Sequence, residues 1–342
     1  MTTASSHPLL HVVAFADNAQ AQAVMGPYGR HLAQVQEAFR MQGAARRAPA
    51  YTVLAEGEGG AVRLRAREDA QADLQRAIRV VESLKDLATK KGKVREGDVQ
   101  AAIAFSDSSD GGAPVQLPQL GGLTIRTPRQ LHYVEAMRDE ALDLVFGVGP
   151  AGTGKTFLAV AAAVEALKAE RIDRIVVTRP AVEAGERLGY LPGDLAEKVD
   201  PYLQPIWDAF RFQMGEADLN NRRQRRQIEV APLAFMRGRT LTNAFVIVDE
   251  AQNATAPQMR MVLTRLGEGS RMVVTGDPSQ SDLDRRTPSG LAHALTILDA
   301  LDGVEIIRFA AQDVVRHRLV ARIIEAYDRA DGVAREGGGD DG

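Results

Sequence analysis

The 342-residue sequence contains no cysteine, which excludes disulfide bonds and metal sites built from thiolates. Its six histidines are dispersed without the spacing of metal ligands. No run approaches ~18 uninterrupted apolar residues, so the sequence predicts no membrane span. The N-terminus also lacks the basic start and continuous apolar core of a secretory signal. Together these absences favour a cytoplasmic protein in a reducing compartment.

A strong charge of either sign is also absent. Lys and Arg number 42 against 45 Asp and Glu, which gives a formal net charge of -3. Any contact with nucleic acid must therefore come from local basic patches rather than from a globally basic surface. A chain of 342 residues exceeds the size at which one core usually stops growing, so two domains are expected.

The stretch from Gly149 to Thr156 matches the phosphate-loop pattern G-x-x-x-x-G-K-[ST]. In this pattern backbone N–H groups close around phosphate oxygens, Lys155 reaches the β- and γ-phosphates, and the Thr156 hydroxyl ligates Mg²⁺. An apolar run precedes the glycines and a helix-forming run follows them, so a strand-to-helix turn is predicted. The predicted nucleotide contacts are Gly149, Pro150, Ala151, Gly152, Thr153, Gly154, Lys155, Thr156 and Phe157.

Two later strands end in polar residues that suit the same chemistry. The strand 244–248 is followed by two carboxylates, of which Asp249 is predicted to hold Mg²⁺ with Thr156 and Glu250 to act as base on the attacking water. The strand that begins at residue 272 leads into a polar loop, where Gln280 is the predicted sensor of the γ-phosphate.

Four further side chains are candidates for this site. Gln130 opens a helix before the phosphate-loop strand, and its planar amide suits an adenine edge; the alternative is an exposed glutamine at a helix start. Arg179 leaves the C-terminal end of a strand, where doubly wound sheets place ligand loops. Arg316 and Arg318 carry guanidinium groups into a predicted helix as candidates for an arginine finger. Alternatively, both act in cis or form ion pairs at a helix end.

The first hundred residues predict the element order β-α-α-β-β-α, with a Gly26-Pro-Tyr-Gly29 loop between the first two helices. This order and loop resemble a KH-type RNA-binding domain, in which the loop backbone clamps nucleotide phosphates. Gly26, Gly29, Arg30 and, in the second half, Arg179 are therefore the predicted RNA contacts. The alternatives are a plain turn and a KH-like fold used only for packing or assembly.

Five segments taken together closely resemble the PhoH-like family of bacterial ATPases: Gly149–Thr156, Thr178–Val182, Val248–Asn253, Thr275–Gln280 and Asp313–His317. The resemblance spans about residues 125–327. It implies an α/β fold, with a RecA-like P-loop NTPase core of the superfamily 1 helicase type built on a parallel sheet. It also implies ATP and Mg²⁺ as cofactors, RNA as a partner, and association with an endoribonuclease of ribosomal RNA maturation.

The predicted organisation follows from these motifs and from the linker composition after Phe105. A small α+β KH-like domain is predicted at residues 1–105, a linker at 106–124, the ATPase domain at 125–330 and a flexible tail at 331–342. The second half has one phosphate loop and the length of about one core, so a neighbouring copy is expected to complete the site. The resemblance suggests a ring of six.

Two other functions remain alternatives to an RNA-remodelling, helicase-like ATPase. A P-loop small-molecule kinase would share the phosphate loop but needs an acceptor pocket and an arginine-rich lid. A nucleotide-gated RNA-binding module with little turnover would use Glu250 only as a metal or switch ligand. The helicase-type segments 249–252 and 276–280 favour the remodelling ATPase.

Overall fold

A computed structural model describes residues 9–41, 50–107, 114–180, 195–284 and 287–315, with the backbone alone at 195–202. The chain divides into two compact units, Met1–Leu131 and His132–Gly342. Within the described ranges no helix is both long enough and apolar enough to cross a membrane. The domain boundaries drawn from the sequence, at 105/106 and 124/125, stay predictions.

The first unit confirms the predicted element order β-α-α-β-β-α. Its three longer strands form an antiparallel sheet in the order β1-β3-β2. A fourth helix and a short hairpin with two residues in each strand follow within the same unit. The elements are β1 (Leu9–Ala14), α1 (Asn18–Met25), α2 (Arg30–Glu37), β2 (Val53–Glu58), β3 (Ala61–Ala66), α3 (Gln71–Lys91), α4 (Glu96–Phe105), β4 (Gln119–Leu120) and β5 (Leu123–Thr124).

Alternation along the strands gives this sheet one buried and one exposed face. On β3, Val62 and Leu64 are buried in one core with Leu84 of α3. The residues between them, Arg63 and Arg65, point the other way and form ion pairs with the glutamates of β2. A two-residue period that separates apolar from charged side chains therefore fixes which face the helices cover.

The loop between α1 and α2 depends on two glycines with different backbone conformations. Gly26 has φ 73° and ψ 170°, a region that side chains essentially exclude, whereas Gly29 has the left-handed values φ 71° and ψ 17°. The buried ring of His31 packs against Gly26, where an added Cβ would lie 2.5 Å from the ring. A Cβ on Gly29 would meet no atom within 4 Å.

The second unit is built on a six-stranded parallel sheet in the order β11-β6-β10-β9-β7-β8. This confirms the predicted α/β class with a parallel sheet. Helix α5 precedes this sheet, and α7 is interrupted at Gly215. The elements are α5 (Pro128–Arg138), β6 (Leu144–Val148), α6 (Lys155–Lys168), β7 (Arg174–Arg179), α7 (Leu195–Gln224), β8 (Ile228–Pro232), β9 (Ala244–Val248), α8 (Ala256–Leu263), β10 (Arg271–Gly276), α9 (Gly290–Ile297) and β11 (Val304–Arg308).

The inner strands of this sheet are apolar because both of their faces are covered. Every residue of β6 and of β9 is buried. Leu291 of α9 and Met259 of α8 share a core with alternate residues of these strands, and α6 packs against β7, β9 and β10. Strands buried on both faces read as continuous apolar runs, which is why the sequence located them. The edge strand β8 was missed because Glu229 and Pro232 interrupt its pattern.

We expect Gly26→Ala to destabilise the first unit far more than Gly29→Ala. The first change combines a nearly forbidden backbone conformation with a clash against His31, so its cost should be about 2–5 kcal/mol. The second change meets open space and should cost only about 1–2 kcal/mol for a left-handed alanine. Hydrogen exchange of the α1 and α2 amides measures both. Equal effects would contradict this account of the loop.

Candidate active site

The phosphate loop runs from the end of β6 to the start of α6, as the sequence predicted. Gly152 and Gly154 adopt φ values of 85° and 84°, which allow the backbone to turn tightly before the helix. The Lys155 ammonium group reaches back across the loop and donates to the carbonyl oxygens of Gly149 at 2.7 Å and Pro150 at 2.8 Å. The loop is therefore closed around its own lysine.

Neighbouring strands hold the first glycine of this loop in place. The Gly149 amide donates to the carbonyl of Gly276, at the end of β10, at 3.1 Å. Gly149 has φ 134°, and a Cβ there would overlap the carbonyl oxygen of Phe309, which follows β11. Position 149 therefore requires glycine both for its backbone conformation and for its close packing.

A buried carboxylate connects the ends of β9 and β10 with the start of α6. Asp249 Oδ1 accepts hydrogen bonds from the hydroxyl of Thr156 at 2.6 Å and from that of Thr275 at 2.7 Å. Thr156 and Asp249 are the two residues predicted to ligate Mg²⁺, and the structure brings them into direct contact. Among the described residues, no group of three or more acidic or histidine side chains could hold a metal. A hydroxyl and a carboxylate suit a Mg²⁺ ion that keeps nucleotide oxygens and waters as its other ligands.

Glu250, the predicted base, is held in a strained conformation. Its backbone has φ 50° and ψ 41°, a left-handed conformation that costs a non-glycine residue about 1–2 kcal/mol. Its Oε1 lies 3.5 Å from the guanidinium of Arg179, and its Oε2 accepts a 2.5 Å hydrogen bond from Gln252. The structure thus places Arg179, predicted as an RNA contact, beside the predicted base.

Two buried residues without a role predicted from the sequence, Gln252 and Asp277, connect this carboxylate to the loop after β10. The Gln252 amide oxygen accepts from the backbone N–H of Asp277 at 3.1 Å. The Asp277 carboxylate in turn accepts from the amide and the hydroxyl of Ser279. The only sign of these residues in the sequence was the pair of motifs Asp-Glu-Ala-Gln at 249–252 and Gly-Asp at 276–277. The motifs do not reveal that Gln252 and Asp277 are in contact.

Gln280, the predicted γ-phosphate sensor, lies in the same loop with an exposed side chain. The backbone N–H of Gln280 donates to the backbone carbonyl of Asp277 at 3.0 Å, which forms a tight turn. The structure therefore brings the loop to Gln252 but does not bring the Gln280 side chain into the buried cluster. The roles of Gln280, Lys155 and Glu250 stay predictions.

The other candidates have separate positions. Gln130 is buried, and its Oε1 accepts from the amide of Arg126 at 2.9 Å, so it is not the exposed glutamine of the alternative interpretation. Its contact with adenine stays a prediction. The backbone of Val315 donates to the carbonyl of Gly152 at 2.9 Å. The two candidate finger residues that come after it, Arg316 and Arg318, lie outside the described residues.

A buried tyrosine supports the phosphate-loop strand from behind. Tyr133 of α5 is fully buried, its ring packs edge-on against Phe309 at 5.4 Å, and a Cβ on Gly147 would lie 2.7 Å from that ring. Among the described residues its hydroxyl has no hydrogen-bond partner. Burial and the nearby charge of Asp249 raise the Tyr133 pKa well above its usual value.

Comparisons with known sequences identify the family of this site. A sequence model described as "PhoH-like protein" matches residues 122–328. A PhoH-like protein of Bacillus subtilis is 58% identical over 207 residues, which are 60% of this chain and 64% of that protein. A PhoH-like protein of Mycobacterium tuberculosis is 48% identical over 265 residues, 75% of each chain. Protein PhoH of Escherichia coli is 42% identical over 263 residues, 76% of this chain and 69% of that one.

Two solved structures show a weaker similarity. The SWI2/SNF2 ATPase core of Sulfolobus solfataricus in complex with dsDNA gives a TM-score of 0.31 at 16% identity, covering 47% of this chain and 34% of that chain. The Pif1 helicase of Candida albicans gives a TM-score of 0.29 at 13% identity, covering 55% and 40%. The α/β assignment rests on the six-stranded parallel sheet itself.

We expect Tyr133→Phe to raise the free energy of unfolding by about 1 kcal/mol, because it removes a buried hydroxyl without a partner and keeps the ring packing. The raised pKa adds a dependence on pH. The unfolded state ionises Tyr133 first, so the parent loses stability as pH rises above about 10, and the variant lacks that contribution. Urea unfolding at neutral and alkaline pH measures both effects. A destabilised Tyr133→Phe protein would show that the hydroxyl is satisfied.

Proposed function

The chain belongs to the PhoH-like protein family, and from this membership we propose that it is a Mg²⁺-dependent ATPase that remodels RNA. The observation that carries the proposal is the 2.6 Å hydrogen bond between the hydroxyl of Thr156 and Asp249. It joins the phosphate loop to the carboxylate that follows β9. Thr156 and Asp249 are the residues that would hold a Mg²⁺ ion, which would neutralise charge on the β- and γ-phosphates.

We propose the following roles for the side chains. Lys155 leaves its loop carbonyls for the β- and γ-phosphates, which are charged acceptors and bind an ammonium more strongly than neutral carbonyls do. Backbone N–H groups at the start of α6 bind the same phosphates. Glu250 accepts a proton from the water that attacks the γ-phosphorus. Gln280 reports on the γ-phosphate from the neighbouring loop, and Gln130 recognises adenine.

RNA is the proposed substrate of the remodelling activity, and the first unit is its proposed KH-like binding domain. Its support is the sheet order β1-β3-β2 with the glycine loop between α1 and α2. Tyr28, at the tip of that loop, is 99% exposed with φ 54°, so a large aromatic surface is held in solvent, and Arg30, two residues later, is exposed as well. An exposed ring and an exposed guanidinium suit a stacked base and its phosphate.

Three partners complete the proposal. They are RNA, an endoribonuclease of ribosomal RNA maturation, and further copies of this chain in a ring of six. In the described part of the second unit there is one phosphate loop and one parallel sheet, so a second copy is the proposed other wall of the site. Arg316 or Arg318 would reach the γ-phosphate across that interface or in cis.

We expect Lys155→Ala to abolish hydrolysis and weaken nucleotide binding, and Glu250→Gln to keep binding while lowering turnover by about 10²–10⁴-fold. The first residue holds phosphate and the second acts only in the chemical step. Steady-state phosphate release and binding of a fluorescent ATP analogue, each with and without RNA, measure the two effects. The matched controls are Lys168→Ala, in the last turn of α6, and Glu268→Gln at the surface.

The same assay separates the alternatives. Stimulation by RNA supports the remodelling ATPase, and turnover that requires a small acceptor would support a kinase. ATP binding with negligible turnover under every condition would support a nucleotide-gated module. Equal turnover in Glu250→Gln and the parent would refute the role of Glu250 as base.

We expect Tyr28→Asn and Arg30→Ala both to weaken binding of single-stranded RNA, but in different ways. Asparagine tolerates a positive φ, so the first change removes the ring with little backbone strain and should cost about 5- to 100-fold in affinity at every salt concentration. The second removes a phosphate contact, so the salt dependence should fall by a slope of about 0.7. Leu10→Ala, an exposed change on β1, is the control. Unchanged affinity in both variants would make this unit an assembly element.

A further inference from the structure

We propose that Gln252 is the positioning residue that sets the orientation of Glu250 for catalysis and couples it to the loop that begins at Asp277. This inference rests on the proposed ATPase function. It assigns a role to a residue that acts through its two neighbours, Glu250 and Asp277.

The orientation of the Gln252 amide follows from the chemistry of its partners. The backbone N–H of Asp277 can only donate, so the amide oxygen must face it, at 3.1 Å. The amide nitrogen then faces the Glu250 carboxylate, which can only accept when ionised, at 2.5 Å. Each end of one planar group is matched to a partner of the opposite kind. Flipping the amide would oppose donor to donor and acceptor to acceptor.

The residues around Gln252 constrain both its side chain and its backbone. A Cβ on Gly276 would lie 2.7 Å from the Gln252 amide oxygen, so the glycine of the Gly-Asp pair leaves the space that this side chain occupies. The backbone carbonyl oxygen of Gln252 accepts from the hydroxyls of Ser281 at 3.1 Å and Ser289 at 3.0 Å. Gln252 therefore contacts the loop at its first residue, at Ser281 and just before α9.

This geometry makes Glu250 depend on the loop. The carboxylate has a second contact, the 3.5 Å ion pair with Arg179, but that pair is longer and its two side chains are partly exposed. The short bond from a buried amide is therefore the stronger constraint on its position. A displacement of the Gln280-bearing loop would move the Asp277 N–H, then the amide and then the base.

Two substitutions separate the halves of this contact. Gln252→Glu keeps an acceptor for the Asp277 N–H and, when ionised, places a second carboxylate against Glu250 in place of the donor. Gln252→Met keeps the length of the side chain and loses both hydrogen bonds. We expect each to lower kcat by about 10- to 100-fold with KM for ATP within about twofold, since the base is misplaced and the phosphate loop is intact. Hydrogen exchange at the Asp277 amide should stay slow in Gln252→Glu and become faster in Gln252→Met.

The matched control is Gln258→Glu in the first turn of α8. Gln258 Oε1 accepts from the Thr255 amide, and a glutamate keeps that capping bond, so kcat should not change. A double-mutant cycle with Glu250→Gln distinguishes positioning from a purely structural role. If Gln252 acts only through the Glu250 carboxylate, Gln252→Glu should cause no further loss of single-turnover hydrolysis in the Glu250→Gln background.

Each outcome is decisive. A kcat for Gln252→Glu equal to that of an active parent would overturn this inference and leave the ATPase proposal standing. So would a loss of the same size in the presence and absence of the Glu250 carboxylate. A parent with no turnover would overturn both proposals.

Discussion

The second unit depends on one buried oxygen, Asp249 Oδ1, which accepts from two threonine hydroxyls. The strand β10 lies between β6 and β9 in the sheet, so the phosphate loop and the acidic residues after β9 are not on neighbouring strands. Thr275, at the end of β10, bridges that gap. Parallel strands bring their carboxyl ends to the same edge, and this shared oxygen fixes the spacing of those ends.

The phosphate loop is shaped by its own lysine and by the neighbouring strands. Lys155 donates to two carbonyls of the loop, and Gly149 is fixed by hydrogen bonding to β10 and by packing against the residue after β11. A cradle that is already closed loses little conformational entropy when a phosphate enters. The ammonium must exchange carbonyl partners for phosphate oxygens, so the net gain on binding is the difference between the two sets of contacts.

The sequence predicted local features well and contacts between distant segments poorly. The phosphate loop and the strands β6, β9 and β10 are visible because glycine spacing and apolar runs are properties of adjacent residues. The bond between Gln252 and Asp277 joins residues that are 25 positions apart, so no local periodicity reports it. The edge strand β8 was missed for a local reason. It pairs on one side only, so it tolerates a proline and a charged residue that interrupt the apolar run by which strands are recognised.

The conformation of Glu250 explains why the site needs partners from several elements. A left-handed backbone costs about 1–2 kcal/mol and persists only where the surroundings determine it. Here Arg179 comes from β7 and Gln252 from the turn that precedes α8, and the loop after β10 holds Gln252. The Glu250 backbone is strained, and its carboxylate contacts Arg179 on one side and Gln252 on the other. The protein therefore sets the orientation of the proposed base before substrate binds. The same arrangement makes that orientation sensitive to whatever binds Arg179 or moves the loop, and on the proposed function those are RNA and the γ-phosphate.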